Sequence, residues 1–145
     1  MKGVEMSLFS WSVNMIKGTL KSDVAYAHCD IPCGIYDPHL AQVAAHTVVR
    51  MHMLINELEK PGPDATAEQS AIYAHRIARL TIVKEEHAEL AKREIRILWG
   101  DYFKPEHLAA NPDLHTKIWE ACKLGSHVKQ HVDMAKAVEF KAALE

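Results

Sequence analysis

Apolar positions along this chain recur at intervals of three and four residues, the period that lines one face of an α-helix. The first such stripe is Leu40, Ala44, Thr47, Met51, Leu54 and Leu58. Asp37-Pro38 in front of it reads as an N-cap followed by proline at the first helical position, and Pro61-Gly62-Pro63 closes the helix. Thr66, with Gln69 three residues on, has the form of a capping box. It predicts a second helix that carries Tyr73, Ile77, Leu80, Val83, His87 and Leu90 on one face and runs to about Leu98. Between Gly100 and Asn111 the periodicity lapses around Pro105, which predicts a structured loop. Asn111-Pro112 repeats the start signal for a third helix with Leu114, Ile118 and Ala121, ending at Gly125. Ser126 then caps a fourth with Val128, Val132, Ala135, Val138 and Ala142. No stretch alternates apolar and polar residues as a half-buried strand does, so the expected fold is all-α, an antiparallel four-helix bundle spanning residues 37–145.

Residues 1–27 fit neither the bundle nor the cysteine-bearing segment between them and it. Lys2 precedes a mildly apolar stretch from Val4 to Ile16, and Ala25-Tyr26-Ala27 has the small-x-small form of a processing site. Two readings stand: a leader or propeptide removed on maturation, or an ordinary helix from Ser7 to Leu20. Glu5 and Asn14 weaken the apolar stretch as a secretion signal, so the cytoplasm is the expected location and export the alternative. At 145 residues with 48% hydrophobic content the rest suits one domain. A net charge of -2 gives no basic surface for a phosphate backbone, and no apolar run reaches the roughly 18 residues of a membrane span, so neither nucleic acid nor membrane is an expected partner. Three cysteines leave an odd one over and make no disulfide framework.

Cys29 and Cys33 are separated by three intervening residues, a spacing that suits a zinc clip, a redox disulfide or two unrelated core thiols. His28 directly before the first cysteine, Pro32 before the second and a cleavage point after Ala27 narrow the choice toward a metal hook. Removal of Ala27 would give His28 a free amine, with a reference pKa of about 7.7 to 8.0. That amine and the Cys29 amide nitrogen can form one five-membered chelate, the Cys29 thiolate closes a second, and Cys33 folds back as the fourth planar donor. A square-planar set of two nitrogens and two sulfurs points to nickel or copper, and because thiolates reduce divalent copper, nickel is the better match. The His28 imidazole is left over as an axial ligand.

The segment His28-Cys29-Asp30-Ile31-Pro32-Cys33-Gly34-Ile35-Tyr36-Asp37-Pro38 resembles the amino-terminal nickel hook of the nickel superoxide dismutases. Lys84-Glu85-Glu86-His87-Ala88-Glu89-Leu90-Ala91-Lys92 and Leu98-Trp99-Gly100-Asp101-Tyr102-Phe103-Lys104-Pro105 resemble the same family in order and approximate spacing. The likeness implies a four-helix protomer, assembled as a homohexamer, with one nickel ion per protomer that cycles between Ni(II) and Ni(III) while superoxide becomes dioxygen and hydrogen peroxide. It implies a maturation protease that frees His28, a hook over residues 28–36, and His28, Cys29 and Cys33 as nickel ligands. Pro32 and Gly34 would shape the hook, Asp30 would hydrogen-bond within it, Tyr36 would order water or screen access beside it, and Tyr102 would lie nearby. A nickel-binding or delivery protein without turnover, and a helical thiol redox sensor built on Cys29 and Cys33, are the competing functions.

One departure from the family bears on the axial ligand. Ala44 stands where many members carry a glutamate and His87 where many carry an arginine, the pair that normally holds the axial imidazole. Both positions fall on apolar stripes, which would set them facing one another. His87 is therefore either a rebuilt partner of His28 or a core histidine. Among the ten histidines, His75, His107, His115, His127 and His131 read as surface residues, and Cys122 as a small buried hydrophobe. Trp99, Tyr102 and Phe103 read as core or interface aromatics, and Lys104 as a charge that could attract an anion.

Overall fold

The computed structural model describes residues 34–145, which contain helices and no strand. Helix α1 is His39–Asn56 and α2 is Ala67–Ile97. A single π-helical turn, Leu98–Tyr102, extends α2 and is closed by the Phe103 N–H donating to the Leu98 carbonyl at 3.2 Å. A short α3, Pro105–Ala110, precedes α4, Leu114–Gln130, and α5, Met134–Ala142. Helix α1 packs on α2, α2 on α4, α4 on α5, and α5 returns to α1, so the four longer helices close an antiparallel bundle.

The core is small-residue-rich. Ala44, Ala45 and Val48 of α1 meet Ala88 and Ala91 of α2, Val128 of α4, and Ala137 and Phe140 of α5, while Ala41, Ile95 and Ala121 form a second cluster nearer the start of α1. Because alanines fill the seam, the helices approach closely and the larger side chains are pushed to its flanks. The stripe read from the sequence is therefore rotated. Ala41, Ala44, Ala45, Val48 and His52 face inward on α1, whereas Leu40 is 47% exposed. On α2, Lys84, Ala88, Ala91 and Ile95 are buried, and Tyr73, Ile77, Leu80, Val83, His87 and Leu90 are only half-buried.

The helix boundaries follow identifiable chemistry. Thr66 and Gln69 form the expected capping box, Gln69 N–H donating to Thr66 Oγ1 at 3.2 Å and Thr66 N–H to Gln69 Oε1 at 2.9 Å. Pro38 is the residue before α1, one position later than expected, and Asp37 still accepts from the His39 N–H at 2.7 Å. Two expectations are corrected. The loop before Asn111 contains α3, and Gly125-Ser126 neither ends nor starts a helix. Gly125 is buried, and a Cβ there would lie 2.7 Å from Lys92 Cγ and 3.1 Å from the Phe140 ring, so this glycine serves close approach inside α4. Ser126 Oγ donates to the Cys122 carbonyl one turn back at 3.1 Å. The true break is His131–Asp133, where Asp133 caps α5 by accepting from the Lys136 N–H at 3.0 Å. That break resets the helical phase, burying Ala137 and Phe140 and leaving Val132 and Val138 exposed.

Lys84 joins the elements around this break. It is 2% exposed, and its ammonium donates to the carbonyls of Val128 at 3.0 Å, Lys129 at 2.9 Å and His131 at 3.1 Å. These oxygens sit at the end of α4, where intrahelical partners run out and the helix dipole favours a cation.

Candidate functional site

The segment leading into α1 emerges at the end of the bundle shared by the C-terminus of α2, the π turn and the start of α4. Gly34 has φ +87°, a conformation that favours glycine over residues with a Cβ, and it turns the chain directly after Cys33. Two residues on, the Tyr36 ring lies 5.5 Å from that of Tyr102, tilted by 47°. Tyr102 is the last residue of the π turn and is 43% exposed, so the pair lies at the surface rather than in the core. Its other face is covered by His107, stacked at 5.3 Å and 13°, and Phe103 meets both rings edge-on at 5.4 and 6.0 Å.

Local backbone chemistry explains this cluster. Pro105 keeps Lys104 out of the helical region, at φ -120° and ψ 167°, which ends the chain's descent from α2 and opens α3. His107 then occupies the third position of α3, and its Nδ1 accepts the Lys104 N–H at 3.0 Å. Nearby, the Trp99 indole N–H donates to His115 Nδ1 at 2.8 Å and ties the π turn to α4. Trp99 is exposed, which corrects the core reading for that residue too.

Among the predicted site residues, Gly34, Tyr36 and Tyr102 come together at this end, while His28, Cys29, Asp30, Pro32 and Cys33 lie outside the described residues. His87 is on α2, 11 residues before the π turn begins, roughly three helical turns away. It is half-buried, with Nδ1 2.8 Å from the Val83 carbonyl of its own helix. Ala88, and not His87, shares the core cluster with Ala44, so of the two departures from the family Ala44 lies within the buried α1–α2 seam and His87, half-buried, lies outside it. Cys122 packs against the Ala41–Ile95–Ala121 cluster, and burial pushes its thiol above the ordinary range, which suits a hydrophobe better than a nucleophile.

Three polar residues carry more structure than their sequence pattern shows. His107 belongs to the aromatic cluster; its place two residues after the proline that opens a helix is the one signal that identifies it as a cap. Lys84 is buried, which only the tertiary packing reveals. His52 is fully buried with Nδ1 2.8 Å from the Val48 carbonyl, and among the described residues its Nε2 has no partner. No group of three or more His, Cys, Asp or Glu side chains that could hold a metal occurs among the described residues.

The fold and this end of it define a class: an all-α bundle with an aromatic cluster where the segment bearing His28, Cys29 and Cys33 enters its first helix. Residues 23–145 match the family model of nickel-containing superoxide dismutase. The chain is 39% identical over 122 residues to the nickel superoxide dismutase of Streptomyces seoulensis, covering 82% of this chain and 83% of that one. It is 35% identical, over the same shares, to that of Streptomyces coelicolor. A crystal structure of a Ni-containing superoxide dismutase with Ni-ligation corresponding to the oxidized state superposes with a TM-score of 0.67, at 35% identity over 81% of this chain and 89% of that one. The chain belongs to the nickel-containing superoxide dismutase family, and with that go a nickel cofactor, the oxidoreductase class and superoxide as substrate.

Proposed function

We propose that this chain disproportionates superoxide at a nickel ion held by the His28 amine and imidazole, the Cys29 amide nitrogen and thiolate, and the Cys33 thiolate, once residues 1–27 have been removed. The observation that carries this reading is the family match through the whole hook, from residue 23 onward, together with a described bundle that offers no group of three metal-binding side chains. The donor chemistry fits the metal: His28, Cys29 and Cys33 would offer it two nitrogens, two thiolates and an imidazole, a nitrogen and sulfur set that suits nickel. Nickel supplies the one-electron couple through which one superoxide is oxidised to dioxygen and a second, with two protons, is reduced to hydrogen peroxide.

The chain's own residues shape access and geometry. Gly34 lets the backbone turn at φ +87°, Pro32 restricts Ile31 before it, and the Asp37 carboxylate fixes the entry into α1. Tyr36 and Tyr102, rings 5.5 Å apart, frame one side of the hook and order water there. Asp30 would satisfy backbone donors within the hook. With its Nδ1 held at 2.8 Å from the Val83 carbonyl, His87 would use Nε2 to take over, directly or through water, the orienting of the His28 imidazole that a glutamate and an arginine perform in many relatives.

Maturation by a protease, assembly as a homohexamer and a cytoplasmic location complete the proposal. Exposed Leu40 and Val43 on α1 support a covered subunit face. Among the described residues no helix is long and apolar enough to cross a membrane. Nickel per protomer and superoxide decay in Cys29→Ser and Cys33→Ser test the reading. Loss of both is expected; full activity in either variant removes the thiolate site, nickel without turnover in the parent chain would favour a binding or delivery protein, and a Cys29–Cys33 disulfide with the leader retained would favour a redox sensor.

A further inference from the structure

The His107 ring has no place in the nickel hook, yet it is the element that links the tyrosine pair to the backbone of the bundle. Its ring lies flat on Tyr102, at 5.3 Å and 13°, and Tyr102 in turn contacts Tyr36 at 5.5 Å. The ring plane of His107 is not free to choose: Nδ1 accepts the Lys104 N–H at 3.0 Å, which fixes its rotation, and the Phe103 ring abuts it at 80°. A backbone N–H is thereby coupled through one imidazole to two phenols at the surface. Tyr102 is part-exposed and sits on a π-helical turn, so the contacts of the bundle core do little to hold its ring.

We infer that His107 is a positioning residue for the Tyr36–Tyr102 pair, holding both rings in place through its stack on Tyr102. The inference rests on the placement of Tyr36 beside the nickel hook. The two roles of the imidazole can be separated by substitution. His107→Asn retains an acceptor for the Lys104 N–H and loses the ring; His107→Phe retains a ring to stack and loses the acceptor.

Both variants, with Tyr36→Phe alongside, are purified as nickel-loaded enzyme. Near-ultraviolet circular dichroism of the tyrosine band is recorded before and after nickel is stripped, and kcat and KM for superoxide are measured separately. For His107→Asn the expected result is a weakened tyrosine band in both forms and a fall in kcat/KM of about 2- to 10-fold, the worth of one aromatic pair. His107→Phe should restore most of both. An unchanged tyrosine band in His107→Asn, or equal losses in the two variants, would reduce His107 to a cap of α3 and overturn the inference. If His107→Asn does not fold, His107→Phe decides alone: retention of band and kcat/KM supports positioning by the ring, and loss of both refutes it. Parent chain without nickel, or Tyr36→Phe with unchanged kcat/KM, would count against the placement of Tyr36 at the hook, while the tyrosine band still judges the stack.

Discussion

Replacing Lys84 with methionine keeps the packing stem and removes the charge that closes α4. The ammonium donates to three carbonyls, those of Val128, Lys129 and His131, at 2.9 to 3.1 Å, in a residue 2% exposed. A hydrogen bond to a charged group is worth about 1.5–3 kcal/mol, and each buried carbonyl left without a donor costs about 1–3 kcal/mol. Water can reach the end of α4 once the ammonium is gone, and the parent's desolvation cost disappears with the charge. The net loss should therefore be about 3 kcal/mol, a large part of a typical domain's stability. Burial lowers the Lys84 pKa below 10.5, more than the neighbouring Glu85 raises it. The unfolded chain then binds more protons than the folded one between that lowered value and 10.5, so this group's contribution becomes more favourable to folding as pH rises through that window. Urea unfolding of the parent chain and Lys84→Met at neutral pH, with the slope checked for constancy, gives the difference directly. Hydrogen exchange at residues 131–137 should accelerate more than at the α1–α2 seam. A loss under about 1 kcal/mol, or exchange raised uniformly, would refute the argument that Lys84 pins the α4–α5 junction.

Three further outcomes are expected. Glu89 accepts from Arg96 at 2.9 Å and pairs with Lys92 and Lys129 at 3.4 Å; the Arg96 bond does most to hold its carboxyl down at about 2, against an ordinary 4.5. Its stabilisation is full above pH 4.5 and is lost as pH falls toward 2; at 42% side-chain exposure it is worth about 1 kcal/mol, and Glu89→Gln should flatten that limb of the acid-unfolding curve. Gly125→Ala brings a Cβ against Lys92 and Phe140, so crowding of about 1–3 kcal/mol should outweigh the roughly 1 kcal/mol gain in helix propensity and lower the thermal midpoint; a rise would show that the seam yields. His87→Ala should weaken the axial signature in the electron-spin spectrum of the oxidised enzyme at nearly unchanged nickel content, and an unchanged spectrum would leave His87 a purely structural residue.

The helical class and the first two helices were legible because their signals are local: Thr66 and Gln69 make the bonds their spacing implies, and Pro61-Gly62-Pro63 lies in the connection between α1 and α2. Gly125-Ser126 misleads because glycine has two uses. It stops helices, and it also admits a neighbour where a side chain would collide, as Lys92 and Phe140 do here. The sequence shows the glycine but not the neighbour. Alanine seams mislead in a related way, since hydrophobicity ranks Leu40 above Ala41 although close packing buries the smaller residue. The hook stands out through rare residue types in fixed order, whereas the stack of Tyr102 on His107 depends on a π turn that no local pattern announces.

The central claim is that the amine of His28 is a nickel ligand, so its most direct test compares a chain cleaved cleanly before His28 with one beginning Met-His28 that keeps its methionine. An amide in place of the amine resists deprotonation, changes the donor charge and adds a residue where the hook must close. Both chains should fold as helical bundles. The cleaved chain should bind one nickel per protomer and remove superoxide; the extended chain should hold little nickel and show little activity. Equal nickel and equal superoxide decay in the two would contradict the account.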